Sequence, residues 1–297
     1  MQDIDLVALV VEVKALDSRS IANHLGRALQ RFGLLVIGHS NPDLASQLHS
    51  IEDQKPFTVS GLMHKDKILY GQVLPGQRGW VRITGLSHEV AAALLAYHAF
   101  VRSCLEQKTP EIIDLDRMAW EISDVHVEGI EWAGCSSYQA LLQRQLIPPT
   151  HLAFNFVTPT TFRSQTVNMP LPLPSLVFGS LLTRWTLFTP HRLRDLPQDQ
   201  LDLFIAHHVV ICQHKLETAL IRGKQGGKEM GFTGSVRYEL LPESEHLQKH
   251  QPEVEAVIQR EYRWFALTLS LLADFAFYSG IGRKTTTGMG VARDVKR

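Results

Sequence analysis

Apolar and polar positions follow two periods along the chain, and the order in which those periods change repeats once. Residues 5–15 form a run rich in Val and Leu, which predicts a strand. Apolar residues then fall at 21, 25, 28, 29, 32, 35 and 36, the spacing of one helical face. Asn41-Pro42 supplies an N-cap and a first-turn proline for a short second helix reaching about His49. Short strands are expected at 57–62, 68–73 and 79–84. Ser87 caps a helix running to about Leu105, and alternation over 120–130 predicts a closing strand. Residues 131–150 contain Gly and Ser, end in Pro148-Pro149, and read as a boundary. The order then returns: a strand at 151–158, helices at 174–187 and 198–211, and strands at 215–222 and 232–241. A long helix at 253–278 and a last strand at 289–295 complete it. Two β-α-β-β-α-β units predict an α+β fold of two tandem ferredoxin-like (RRM-like) domains, over residues 1–135 and 150–297.

Composition narrows the class. With 44% hydrophobic and 20% charged residues in 297, the chain supports a large core and is neither disordered nor fibrous. Its longest apolar stretch, residues 265–278, is interrupted by Asp274 and is too short for a membrane span, so a buried helix is expected. The N-terminus lacks the basic region of a signal peptide. Cys104, Cys135 and Cys212 stand apart with no C-x-x-C pair, which argues against a zinc ribbon, a redox motif or a disulfide framework. A cytoplasmic protein without a membrane partner is expected.

Formal net charge is zero, which on its face argues against a nucleic-acid partner. The zero is a cancellation. Residues 1–140 hold 12 basic and 17 acidic residues, whereas residues 141–297 hold 18 basic and 13 acidic. The basic excess gathers in residues 222–237 and 283–297, so the second half can accept a polyanion. Arg222, Lys224, Lys228 and Arg237 flank Gly226-Gly227, a basic hairpin suited to tracking a phosphate backbone. Arg163, and Arg184 beside Trp185, are further candidates, with Trp185 itself read as core. Aromatic platforms of the RRM kind are not evident.

The segment Gly280-Ile281-Gly282-Arg283-Lys284-Thr285-Thr286-Thr287-Gly288-Met289-Gly290 is the most unusual. Its glycines permit tight turns and close backbone approach to a phosphate, Arg283 and Lys284 add charge, and the threonines add donors. A capped helix end followed by a hairpin has the same composition. A dinucleotide-binding fingerprint is excluded, because these glycines follow a helix and open a strand. A P-loop is excluded because no Gly-Lys-Ser/Thr ends the segment.

Four segments together resemble one family. A glycine-rich loop after a long helix and before a last strand is similar to the signature of the repeat-associated RNA-binding superfamily of CRISPR systems. Residues 41–49 with 55–60, residues 156–162 with 173–174 and 180–185, and residues 231–236 resemble, in order, segments of its repeat-processing endoribonucleases. The resemblance implies a pair of ferredoxin-like domains, as the periodicity does. It also implies cleavage of CRISPR precursor RNA within repeats. The expected products are a 5′-hydroxyl and a 2′,3′-cyclic phosphate or 3′-phosphate.

By that resemblance His49 matches the catalytic histidine and Lys55 a lysine beside it. Histidine titrates near neutrality and serves as acid or base, while lysine remains cationic and stabilises the phosphorane. His39 is the rival histidine, and His39 or Arg31 is a candidate helper. No assisting tyrosine transfers, because Phe32 and Leu34 stand in that region. Gly280, Gly282, Arg283, Lys284, Thr285, Thr286, Gly288 and Gly290 are expected to hold RNA, with Arg163, Arg222, Lys224, Lys228 and Arg237. No cofactor or metal is expected. His207-His208 with His214 reads as a satisfied cluster, and Asp114, Asp116, Glu121 and Asp124 as a solvated loop and strand edge. The partner is CRISPR repeat RNA, precursor or mature guide, with an effector complex as a further partner and a monomer or homodimer as the assembly. The alternative is a non-catalytic subunit that holds guide RNA in such a complex.

Overall fold

The computed structural model describes residues 4–190, 198–222 and 228–295. Its first half runs β1 (Leu6–Ala15), β2 (Arg19–Ile21), α1 (Gly26–Gly38), α2 (Pro42–Ser50), β3 (Phe57–Val59), β4 (Met63–His64), β5 (Lys67–Ile68), β6 (Gly71–Val73), β7 (Arg78–Gly85), α3 (His88–Glu106), β8 (Ile112–Asp114) and β9 (Ala119–His126). Strand β1 is buried along most of its length and sits at the centre, antiparallel to β7 on one side and to β9 on the other. Strands β3 and β4 pair with the outer side of β7. This is the ferredoxin-like strand order, with α1 and α3 packed on one face. The caps are those the sequence specifies. Asn41 accepts a hydrogen bond from Leu44 N at 3.0 Å, Pro42 opens α2, and Ser87 accepts from Val90 N at 3.4 Å.

The second half follows through β10 (Gly134–Ser136) and α4 (Tyr138–Gln143). It comprises β11 (His151–Thr160), β12 (Phe162–Ser164), β13 (Val167–Met169), α5 (Pro174–Phe188), α6 (Gln198–His208), β14 (Val209–Arg222), β15 (Lys228–Leu240), α7 (Glu245–His250), α8 (Pro252–Ser279) and β16 (Ala292–Asp294). The sheet order β14-β15-β11-β16, all antiparallel, repeats the ferredoxin-like arrangement, so the expected α+β tandem fold is present. Leu152, Phe154 and Phe156 point under α5 and α8, and the opposite face of this sheet is largely open.

Several boundaries shift for physical reasons. Helix α1 starts at Gly26 rather than at 21, because residues 19–21 pair with β6. Residues 209–211 leave the helical period to open β14 against Leu240–Tyr238. The strand expected at 120–130 ends at His126, and the last strand keeps only residues 292–294 of 289–295. Residues 131–150 are not a bare linker. Strand β10 pairs with β1, and Tyr138 and Leu141 of α4 are buried in the core of the second half, with the Tyr138 hydroxyl donating to Leu86 O at 2.8 Å. Leu6, Ala8 and Leu86 join that same core, so the two halves share apolar packing. No helix among the described residues is long and apolar enough to cross a membrane.

Candidate active site

Helix α2 presents His49 in its last turn, exposed to solvent. It borders two adjoining clefts. The first, of about 920 Å³, is also lined by Arg31, Leu35, His39, Tyr97, Glu111 and Asp114. The second, of about 530 Å³, is lined by Arg27, Gln30, Arg31, Asp114, Asp116 and Arg117. His39 follows the end of α1, with its ring centroid 4.1 Å from that of Phe100 and 5.6 Å from that of Tyr97. The structure therefore brings His49, His39 and Arg31 to one place. Leu35, assigned to the buried face by spacing, is instead 63% exposed and lines the first cleft.

Lys55 also plays a part that its charge alone does not suggest. Its ammonium donates to Leu48 O and, at 3.2 Å, to His49 O, the carbonyls that end α2. It thus fastens the turn that carries His49. Partial burial holds its pKa below the ordinary lysine value. An ammonium has three protons, and these two bonds leave one direction for a phosphate oxygen.

The glycine-rich loop lies at the joint between the halves, and its rigidity has an identifiable source. The last three carbonyls of α8 each accept from a different side chain. Arg82 donates to Phe277 O, the Thr84 hydroxyl to Tyr278 O at 2.7 Å, and Arg184 Nη1 to Ser279 O at 2.7 Å. Arg184 also donates to Thr285 Oγ1 and Gly282 O, both at 2.8 Å. Both guanidiniums are buried, and desolvation lowers their pKa values, to about 9 for Arg82 and about 10 for Arg184. Arg184 is therefore a staple for the loop and not an RNA contact. Trp185 is core, as expected.

The loop's backbone is engaged with protein. Gly282 N donates to Ser180 Oγ, Arg283 N to Thr161 O, Gly288 N to Val59 O, and Gly290 N to Pro159 O. Gly280, Gly282, Gly288 and Gly290 are buried with positive φ, and Thr285 is 4% exposed. A Cβ on Gly290 would lie 2.2 Å from Ile281 O. In this structure the four glycines serve close packing across the joint. The loop faces outward through Arg283, Lys284, Thr286 and Thr287. Arg283 donates to Asn168 Oδ1 at 2.8 Å, and Lys284 pairs with Glu229. Gln30 of α1 donates to Thr286 Oγ1 at 3.4 Å, so the loop meets the helix whose next turns carry Arg31 and the clefts.

The remaining candidates divide. Arg163, on the β12–β13 hairpin beside Arg283, donates to Gln165 O at 3.2 Å. Arg237 does not join this group: it sits eight residues along β15 from Glu229, about 26 Å in an extended strand. Lys224 lies outside the described residues, as do the side chains of Arg222 and Lys228. Of the three histidines read as a satisfied cluster, His208 is buried between Leu241 O and Glu255 Oε2, each at 3.0 Å, whereas His214 is exposed on β14. Glu121 and Asp124 form surface ion pairs with Lys14 and Arg102. Asp114, exposed, and Asp116, half-buried, both read as part of a solvated loop, form a wall of the second cleft. Arg27 and Gln30 were not singled out from sequence. Their signal was the helical period itself, since Arg27, Arg31 and Leu34 share one face of α1.

Comparison with known proteins agrees with this architecture. The family model described as CRISPR-associated endoribonuclease Cas6 matches residues 154–292. A CRISPR-associated endoribonuclease Cas6 of Streptococcus thermophilus is 26% identical over 141 residues, 48% of this chain, and the match spans about half the length of that relative. A solved Cas6 product complex is 26% identical with a TM-score of 0.70, covering 98% of this chain and 99% of that one. The Thermus thermophilus Cas6 structure, 23% identical with a TM-score of 0.68 and the same coverage, shares the fold. By sequence over its second half and by fold over its whole length, the chain is similar to the Cas6 family of CRISPR-associated endoribonucleases.

Proposed function

We propose that this chain cuts CRISPR precursor RNA within its repeats, without a metal ion, by attack of the RNA's own 2′-hydroxyl. A base takes the 2′-hydroxyl proton, and the 2′-oxygen forms a bond to the adjacent phosphorus. The bond from phosphorus to the 5′-oxygen breaks, and an acid returns a proton to that oxygen. The products are a 2′,3′-cyclic phosphate and a 5′-hydroxyl. His49 acts as acid or base, with His39 or Arg31 as helper in the same cleft. Lys55 holds the end of α2 and offers its remaining proton to the phosphorane. RNA lies along the exposed face of α1, past Arg27 and Arg31, to Arg283, Lys284 and Arg163. In this reading the first half supplies the cutting histidine, and each half supplies cations.

The observation that carries the reading is the position of His49 at the meeting of two clefts, one of which follows the basic face of α1 toward the glycine-rich loop. Repeat RNA incubated with protein in EDTA tests it. Cleavage is expected to persist in chelator and to fall roughly 100- to 10,000-fold in His49→Ala, the range for loss of a general acid or base. Repeat RNA binding should survive in the variant. Full activity in His49→Ala, or loss of cleavage in EDTA, sinks the mechanism. Tight binding with no cut by the wild-type chain identifies the non-catalytic alternative.

A further inference from the structure

The open face of the second sheet carries a constellation that the cleavage chemistry does not use. His151 opens β11 and stands directly opposite Glu239 on β15. Cys212 lies on β14, where Ile211 opposes Tyr238 and Gln213 opposes Arg237, so Cys212 is the extra residue of a bulge. A bulge re-aims the side chain it inserts. Here the result is that one ligand atom from each of His151, Cys212 and Glu239 lies within 4.8 Å of the other two.

We propose that these three side chains bind a divalent cation, with zinc the best match. An imidazole nitrogen, a thiolate sulfur and a carboxylate oxygen form a mixed donor set that suits zinc and disfavours the all-oxygen ions calcium and magnesium. Three protein ligands leave the fourth tetrahedral position to water. Bond lengths of about 2.0–2.3 Å require ligand atoms roughly 3.3–3.8 Å apart, so the set closes by about 1 Å on binding. The ring of His151 is already oriented. Its Nδ1 lies 3.0 Å from Thr150 Oγ1, a contact of the kind that orients metal-bound histidines generally. Cys212 is exposed, so an ion has access, and its thiol donates to Arg237 O at 3.4 Å. A cleft of about 580 Å³ lined by Thr150, His151, Gln213 and Arg237 opens beside His151. With thiolate and carboxylate both ionised and the imidazole neutral, the charge of zinc is balanced. The site clamps three neighbouring strands at the bulge. It lies in the other half of the chain from His49, and no step of RNA cleavage runs through it.

The test uses the full chain, stripped with chelator, desalted, and titrated with Co²⁺ and then Zn²⁺ at neutral pH. One equivalent of Co²⁺ is expected to give a near-ultraviolet thiolate-to-cobalt charge-transfer band, which Zn²⁺ displaces. Cys212→Ser abolishes the band and weakens Zn²⁺ binding at least about tenfold. His151→Ala weakens it similarly with unchanged far-ultraviolet circular dichroism, the loss expected when a ligand is removed. RNA cleavage by Cys212→Ser stays at the wild-type rate. Absence of a thiolate band in the wild-type chain overturns the proposal. So does Zn²⁺ affinity that is unchanged in both variants, which would move binding to other histidines such as His207 and His246.

Discussion

His49 and Lys55 are six residues apart in sequence but face different partners. His49 is exposed at the clefts, while Lys55 turns back to hold the carbonyls of Leu48 and His49. In the proposed mechanism Lys55 therefore positions the turn that carries His49 as well as offering charge to the phosphorane. Replacing Lys55 by Met should let the last turn of α2 shift and slow single-turnover cleavage roughly 10- to 100-fold, the penalty for misplacing a reacting group by about 1 Å. RNA affinity should change little, and Lys55→Arg should recover much of the rate by restoring a donor to the two carbonyls. A Lys55→Met variant that cuts at the wild-type rate would remove this role. The pairing of a histidine at a helix end with a following lysine was legible in the sequence. The direction of the lysine was not, because it depends on which carbonyls the folded loop brings within reach.

Helices α1 and α8 set the geometry of the site. The first presents Arg27, Arg31 and the turn before His39. The second ends in carbonyls tied to Arg82 and Thr84 from one half and Arg184 from the other. Arg184 touches three loop acceptors, so Arg184→Leu should orphan Ser279 O, Thr285 Oγ1 and Gly282 O together. Each buried unpaired group costs about 1–3 kcal/mol, so a loss of several kcal/mol is expected in a urea denaturation series. A change below about 1 kcal/mol would mean that the loop is not held this way. Caps and helix periods at this scale were readable, as Asn41 and Ser87 illustrate. The glycine-rich loop was visible as a segment, yet its contacts with Val59, Thr161 and Pro159 come from distant parts of the chain. No local pattern reports such contacts, so buried glycines resembled a phosphate cradle. Leu35 misled for a related reason: a helical spacing shows which residues share a face, and the packing of α1 decides where the buried stripe ends.

Across the whole molecule, a formal charge of zero coexists with cations placed from Arg27 and Arg31 on α1 to Arg283, Lys284 and Arg163 on the second half. The charge split along the sequence anticipated a basic second half but not the share that α1 contributes. With so little net charge, affinity should rest on a few local phosphate contacts. Arg27→Ala and Arg31→Ala should each weaken repeat RNA binding and lower the slope of log affinity against log salt by about 0.7. Slopes unchanged in both variants would move the RNA off α1. The central claim is that the chain cuts RNA by using the 2′-hydroxyl beside the scissile phosphate, with no metal ion in the step. The most direct test is single-turnover cleavage, in chelator, of repeat RNA carrying one 2′-deoxy substitution at the scissile nucleotide. The account predicts that the unmodified RNA is cut to a 2′,3′-cyclic phosphate and a 5′-hydroxyl and that the substituted RNA is bound but not cut. Cleavage of the substituted RNA at the normal position would contradict it.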